Sequence, residues 1–253
     1  MRRRRKYDFY LVIFLAVFTV GYFVYNHMSA ESRGVENYSE ALEAYKASDY
    51  EKAYEDFAKV PSGSTLKPPA LFRQARCATN MDKKELAIKK YNRIVHSSVK
   101  SSIAPISEYN MANLMFEIQD KGAKKHFKKI IKKYPTSDYA VASNYYLGLI
   151  EVSNPPKSER WLKKSKNRAF IYFKNYLEEA PDGRFALKTI DEIKKLGVQL
   201  TNYDNLLIAK SYYANGEYTK AKDYLNKTTL AESWSDFAKN EYKLGNKEKA
   251  NYY

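Results

Sequence analysis

An all-α chain, with one membrane-crossing helix followed by an irregular solenoid of helical hairpins, is predicted by three observations. From Phe9 to Ala30 the sequence runs 22 residues without Asp, Glu, Lys or Arg. Small and aromatic residues then recur with a period of 34 residues and the i, i+4 spacing of a helical face. Gly and Pro are few, 9 and 8 in 253 residues, and 29% charged with 44% hydrophobic residues suits packed helices rather than disorder.

Residues 1–8 read as a cytoplasmic basic tail, in which Arg2, Arg3, Arg4, Arg5 and Lys6 oppose Asp8. Residues 9–30 read as the transmembrane anchor: at about 1.5 Å per residue they span roughly 33 Å, enough for a bilayer core. Tyr7, Tyr10, Tyr22 and Tyr25 stand towards its two ends, where phenol rings suit the headgroup level. Five basic residues precede the span and Arg33 stands alone in the first fifteen residues after it, an asymmetry that keeps the tail inside and exports the rest, to a periplasm or the cell surface. A cleaved signal peptide is the competing reading, but the apolar stretch is long and Met28, Ser29, Ala30 fit a small-x-small cleavage pattern poorly. Residues 31–37 are expected to form a juxtamembrane linker.

Residues 38–253 carry the repeat. Ala41, Ala44, Ala53, Phe57 and Val60 keep their character 34 positions later in Ala75, Ala78, Ala87, Tyr91 and Ile94. Paired helices must approach closely, so small residues belong at the crossing and a ring on the second helix fills the groove beside it. The pattern recurs in Ala123 and Phe127, leading to Pro135, and in Ala169 and Phe173, leading to Pro181. It is clearest in Tyr212, Gly216, Tyr218 and Ala221. On these residues the segment resembles the tetratricopeptide-repeat family, which implies stacked helical hairpins and a concave surface for a protein or peptide.

The key Ala positions, 53, 87, 123, 169, 221 and 250, are separated by 34, 36, 46, 52 and 29 residues, so the array is irregular. In the 46-residue step, Asn154, Pro155, Pro156 and the Lys-rich stretch through Arg168 are expected to form a long loop. The 52-residue step has room for an extra helix near Arg184 to Leu196, with Phe185, Ile190, Ile193 and Leu196 as its apolar face. Gly245 and Ala250 open a sixth unit that Tyr253 cuts short, which suggests a piece of a longer protein.

No constellation for catalysis, cofactor or metal binding is expected. His27, His96 and His126 are far apart, Cys77 is the single cysteine, and the common phosphate-loop, nucleophile-elbow and zinc patterns are absent. Net charge is +15 and the part beyond the tail is basic in its own right, which favours anionic partners such as acidic polymers or peptidoglycan. Nucleic acid is disfavoured on the exported side. The densest run, Lys124, Lys125, Lys128, Lys129, Lys132 and Lys133, forms two ridges beside the apolar stripe of Phe127 and Ile130, a candidate basic face. The pairs Tyr145, Tyr146 and Tyr212, Tyr213 are candidate groove-lining residues, one ring of each pair facing outwards.

The expected function is therefore a membrane-anchored, non-catalytic scaffold for protein–protein interaction at the cell envelope. A second resemblance offers an alternative. The run Lys133, Tyr134, Pro135, Thr136, Ser137, Asp138, Tyr139, Ala140, with Leu147, Gly148 and the segment from Pro181 to Ala186, is similar to the superhelical region of soluble lytic transglycosylases. That resemblance implies the non-catalytic part of a cell-wall-cleaving enzyme, and none of the family's active-site motifs is present here.

Overall fold

Helix formation in this chain is punctuated by short polar turns. The computed structural model describes the backbone of residues 2–97, 102–153, 155–229 and 233–252, with side chains from 12 to 251 within those ranges. The basic tail, Tyr7 and Tyr10 lie outside the described side chains, and Asn154 and Tyr253 outside the described residues. Among the described residues all regular structure is helical, in thirteen helices. They fall into two units, Met1–Ile118 and Gln119–Tyr253.

The first unit holds α1 (Arg2–Lys46), α2 (Tyr50–Lys59), α3 (Lys67–Asn80), α4 (Lys84–Val95) and α5 (Ala104–Glu117). α1 is one uninterrupted helix of 45 residues. From Val12 to Met28 its side chains are exposed on every side, and it is long and apolar enough to cross a membrane. Residues 31–37 are not a linker. They continue α1 into the first hairpin, because Gly34 is buried against Ser64 and Tyr38 packs edge-on to Phe57 at 5.2 Å. All ten aligned small and aromatic positions, from Ala41 to Val60 and from Ala75 to Ile94, are buried.

The turn chemistry repeats with the packing. α1 and α3 end with a residue at positive φ, Ser48 and Asp82, one period of 34 apart. In each, the next N–H reaches back five residues, from Asp49 to the Ala44 carbonyl and from Lys83 to that of Ala78. Asp49 then caps α2 by accepting from the Lys52 N–H.

The second unit holds α6 (Ala123–Lys133), α7 (Asp138–Ser153), α8 (Glu159–Glu179), α9 (Ala186–Leu196), α10 (Asn202–Ala214), α11 (Tyr218–Leu225), α12 (Trp234–Lys243) and α13 (Lys247–Tyr252). α10 and α12 close with the same backbone turn, now with glycine at the positive-φ position: Gly216 and Gly245. The extra helix expected near 184–196 is α9, with Ile190, Ile193 and Leu196 buried. Of the long loop expected from Asn154 through Arg168, residues 155–158 are non-helical, and Glu159 to Arg168 are instead the first half of α8. Its inward side begins at Ser165, a small polar residue whose hydroxyl donates to the Glu151 carbonyl. Gly148 on α7 lets α8 approach so closely that a Cβ there would lie 2.3 Å from the Phe173 ring.

Candidate functional site

The chemistry-bearing residues of this chain are mostly spent on packing. Cys77 is fully buried, and burial pushes its thiol up to about 11, away from reactivity. Among the described residues no group of three or more His, Cys, Asp or Glu could hold a metal ion. Among the buried carboxylates held by cations are Asp56, which meets Lys59 at 2.6 Å, and three in the second unit. Glu151 meets Lys124 at 2.6 Å and Arg168 at 2.8 Å, Asp204 meets Lys174 at 2.8 Å, and Glu241 meets Lys222 at 2.5 Å. Burial raises the pKa of Glu151 and of Asp204, but the hydrogen bonds from these partners outweigh it, so both remain below the ordinary carboxylate range. A general acid working near neutrality needs the opposite shift.

The proposed groove tyrosines are core residues or packed against it. Tyr145 and Tyr212 are buried. Tyr146 stacks on Phe127 with ring centres 5.0 Å apart, and Tyr213 meets Tyr218 edge-on at 5.3 Å. The physical reason is the neighbouring α9, whose Lys194 donates to the Tyr212 hydroxyl at 2.6 Å, and Phe185 just before it, which stacks on Tyr145 at 4.3 Å. Of the candidate basic face, Lys125, Lys128 and Lys132 are exposed, Lys129 is half-buried, and Lys124 leaves the face to hold Glu151.

A different site emerges in the first unit, between α3, α4 and α5. It is a cleft of about 390 Å³, floored by Phe72, Tyr91 and Leu114. Phe72 and Tyr91 meet edge-on at 5.7 Å, which fixes the floor. Arg76 and Asn80 enter from α3 at i, i+4 spacing, and Asn110 and Asn113 enter from α5 at i, i+3, so each pair shares one helical face. The Arg76 guanidinium lies 5.8 Å from the Tyr45 ring centre and has no carboxylate partner among the described residues. Asn110 extends its amide towards the Tyr91 hydroxyl at 3.4 Å. The Asn113 amide oxygen is buried and has no hydrogen-bond partner among the described residues, so it accepts from a ligand only if its side chain turns into the cleft. At the rim Glu117 is taken by Lys84 at 3.0 Å.

This arrangement offers amide donors and acceptors at fixed spacing, one unpaired guanidinium and an apolar floor. It suits the recognition of a peptide backbone carrying an acidic group, and it lacks any nucleophile and base in contact. Sequence reasoning missed it because Asn is read as a turn residue. Two Asn inside one helix, where that residue is intrinsically unfavourable, were the available signal.

The family model described as tetratricopeptide repeat matches residues 69–100, 107–137 and 205–229. Among solved structures, the crystal structure of MamA protein is 15% identical with a TM-score of 0.48, covering 86% of this chain and 94% of that one. The TPR2AB-domain:pHSP90 complex of yeast Sti1 is 16% identical with a TM-score of 0.39, covering 87% and 99%. No curated protein matches the chain. Helical hairpins form at the predicted positions, and at three of them the chain carries segments that match the tetratricopeptide-repeat model.

Proposed function

We propose that the chain is a non-catalytic tetratricopeptide scaffold, anchored in a membrane by residues 9–30, that holds an extended acidic peptide segment of a protein partner in the α3–α5 cleft. The observation that carries the reading is the cleft itself: two Asn amides from α5 and an Arg76 guanidinium with no carboxylate partner among the described residues line one apolar floor. An Asn amide can accept from a peptide N–H and donate to a peptide carbonyl, which reads backbone rather than side chain, while a guanidinium fits a carboxylate in a fork. The five-to-one basic asymmetry around the span supports a cytoplasmic tail and an exported repeat array.

The test uses the full chain in detergent and fluorescent decapeptides of matched length that are acidic, neutral or basic. Acidic peptides should bind best, and Arg76→Glu should weaken them by about tenfold or more, the equivalent of roughly 1.4 kcal/mol. Asn113→Ala should weaken all three classes, since it removes a backbone contact. Equal binding of the acidic and basic sets, or an Arg76→Glu variant that binds like the parent, would sink the proposal.

A further inference from the structure

The loop between α2 and α3, residues 61–66, is latched to the place on α1 where charge first appears after the apolar stretch. The Ser64 hydroxyl and the Thr65 N–H donate to the Glu31 carboxylate at 2.6 and 2.8 Å. Gly63 lies beside Ala30, where an added Cβ would come within 3.7 Å. Ala30 ends the uncharged stretch and Gly34 is buried against Ser64, so on a continuous helix the latch lies within about 6 Å of the end of that stretch.

The same loop forms one wall of a second cleft, of about 850 Å³, completed by the start of α3 and the end of α4. Its charged lining groups are Lys67 and Arg93, with the hydroxyls of Ser62, Thr65 and Ser102 around them and no carboxylate among the described lining residues. Arg93 has no ion pair among the described residues. Lys67 donates to the carbonyls of Ala58 and Val60, at 3.2 and 2.5 Å, which holds its ammonium in the cleft. Burial first, then the positive charges of Arg93 and Lys90, push the Lys67 pKa down. Cations crowded together without a counter-anion are poised for one from outside. Leu71, Ile94 and Pro69 give the cleft an apolar side as well.

We propose that this cleft takes the phosphate headgroup of an anionic lipid from the bilayer that holds α1. The assignment rests on the anchored reading of α1. A lipid is favoured over a free phosphate because the cleft is several times larger than one anion, has an apolar wall, and is fixed by the Glu31 latch beside the end of the membrane-length stretch. Bound headgroup would also stiffen the junction between the span and the first hairpin.

The test reconstitutes the full chain into bilayer discs of phosphatidylcholine containing a minor fraction of phosphatidylglycerol, and native mass spectrometry counts the anionic lipids that leave with it. Arg93→Glu should reduce retention of phosphatidylglycerol by about tenfold, whereas Lys188→Glu, the same charge change on an exposed site of α9, should leave it within about twofold. Equal retention by the two variants while the chain stays in the bilayer would overturn the lipid site alone. Displacement of phosphatidylglycerol by inorganic phosphate at equal concentration would assign the cleft to a free anion and overturn the lipid source. Release of the chain from membranes by alkaline carbonate would overturn the anchored reading, and the lipid assignment with it.

Discussion

At the scale of single residues, the repeat is a set of volume limits. Ala87 is fully buried at a helix crossing, so Ala87→Leu should destabilise by about 1 to 3 kcal/mol through overpacking, while Lys89→Ala on the exposed face should stay within about 0.5 kcal/mol. Thermal melts of the two variants compare the positions directly, and equal melts would mean that the crossing lies elsewhere. Gly148 is a sharper case, because its missing Cβ is occupied by the rigid ring of Phe173. Gly148→Ala should therefore cost stability although alanine is the better helix former, with a loss of about 1 to 3 kcal/mol in urea unfolding. Ser48 works in the other direction. It holds a positive φ that Gly216 and Gly245 adopt freely at equivalent turns, so Ser48→Gly should stabilise the chain by up to about 1 kcal/mol; any loss would show that the serine side chain has a role in its turn.

At the scale of elements, what the sequence disclosed depended on whether packing used apolar residues. The hairpins around Ala53 and Ala87 were legible because small and large apolar positions alternate at helical spacing, and α9 because Ile190, Ile193 and Leu196 form a stripe. The first half of α8 was not, because its inward position Ser165 is polar and is flanked by lysines, Lys163 and Lys164 facing solvent and Lys166 donating to the Leu196 carbonyl. Residues 31–37 were misread for a related reason: their packing is carried by Gly34 and a carboxylate latch rather than by hydrophobic periodicity. The cleft of Arg76, Asn110 and Asn113 was hidden too, since polar residues that wait for a partner look like solvated surface until the neighbouring helix is in place. The latch gives its own prediction. Hydrogen bonds from Ser64 and Thr65 hold the Glu31 carboxyl down to about 2. A depressed carboxylate stabilises the folded state above its ordinary value of 4.5 and loses that contribution as pH falls from there towards about 2. Hydrogen exchange of the Thr65 N–H should accelerate over that window relative to neighbouring amides, and Glu31→Gln should remove the extra pH dependence. An unchanged pH profile in the variant would exclude Glu31 as its source.

At the scale of the whole chain, stability in a repeat protein is the sum of local hairpins and their interfaces, so it need not be uniform. In the second unit the large core runs from Tyr145 through Phe173, Ile190 and Ile208 to Ala221. Beyond it, α12 is tied back by a small apolar cluster of Leu206, Ala209, Leu225 and Phe237 together with polar links. Those links are specific: Asn240 donates to the Tyr218 carbonyl at 3.0 Å, and the buried Glu241 accepts from Lys222 and, at 2.6 Å, from Asn246. The hydrogen bond from Lys222 is the main reason that Glu241 sits below the ordinary carboxylate range, with burial opposing it. Removing the cation would leave a buried charge answered by one neutral amide and the more distant charge of Lys249, so Lys222→Ala should lower the stability of α12 and α13 by about 1 to 3 kcal/mol. Hydrogen exchange should find these two helices opening first in the parent chain and much faster in the variant, with amides of α8 and α9 unchanged. Because the Glu241 pKa is depressed, lowering the pH below 4.5 should loosen the parent's α12 and α13 and have less effect on a Lys222→Ala, Glu241→Gln double variant. Loss of protection spreading equally into α8 and α9 would mean instead that the unit unfolds as a single cooperative block.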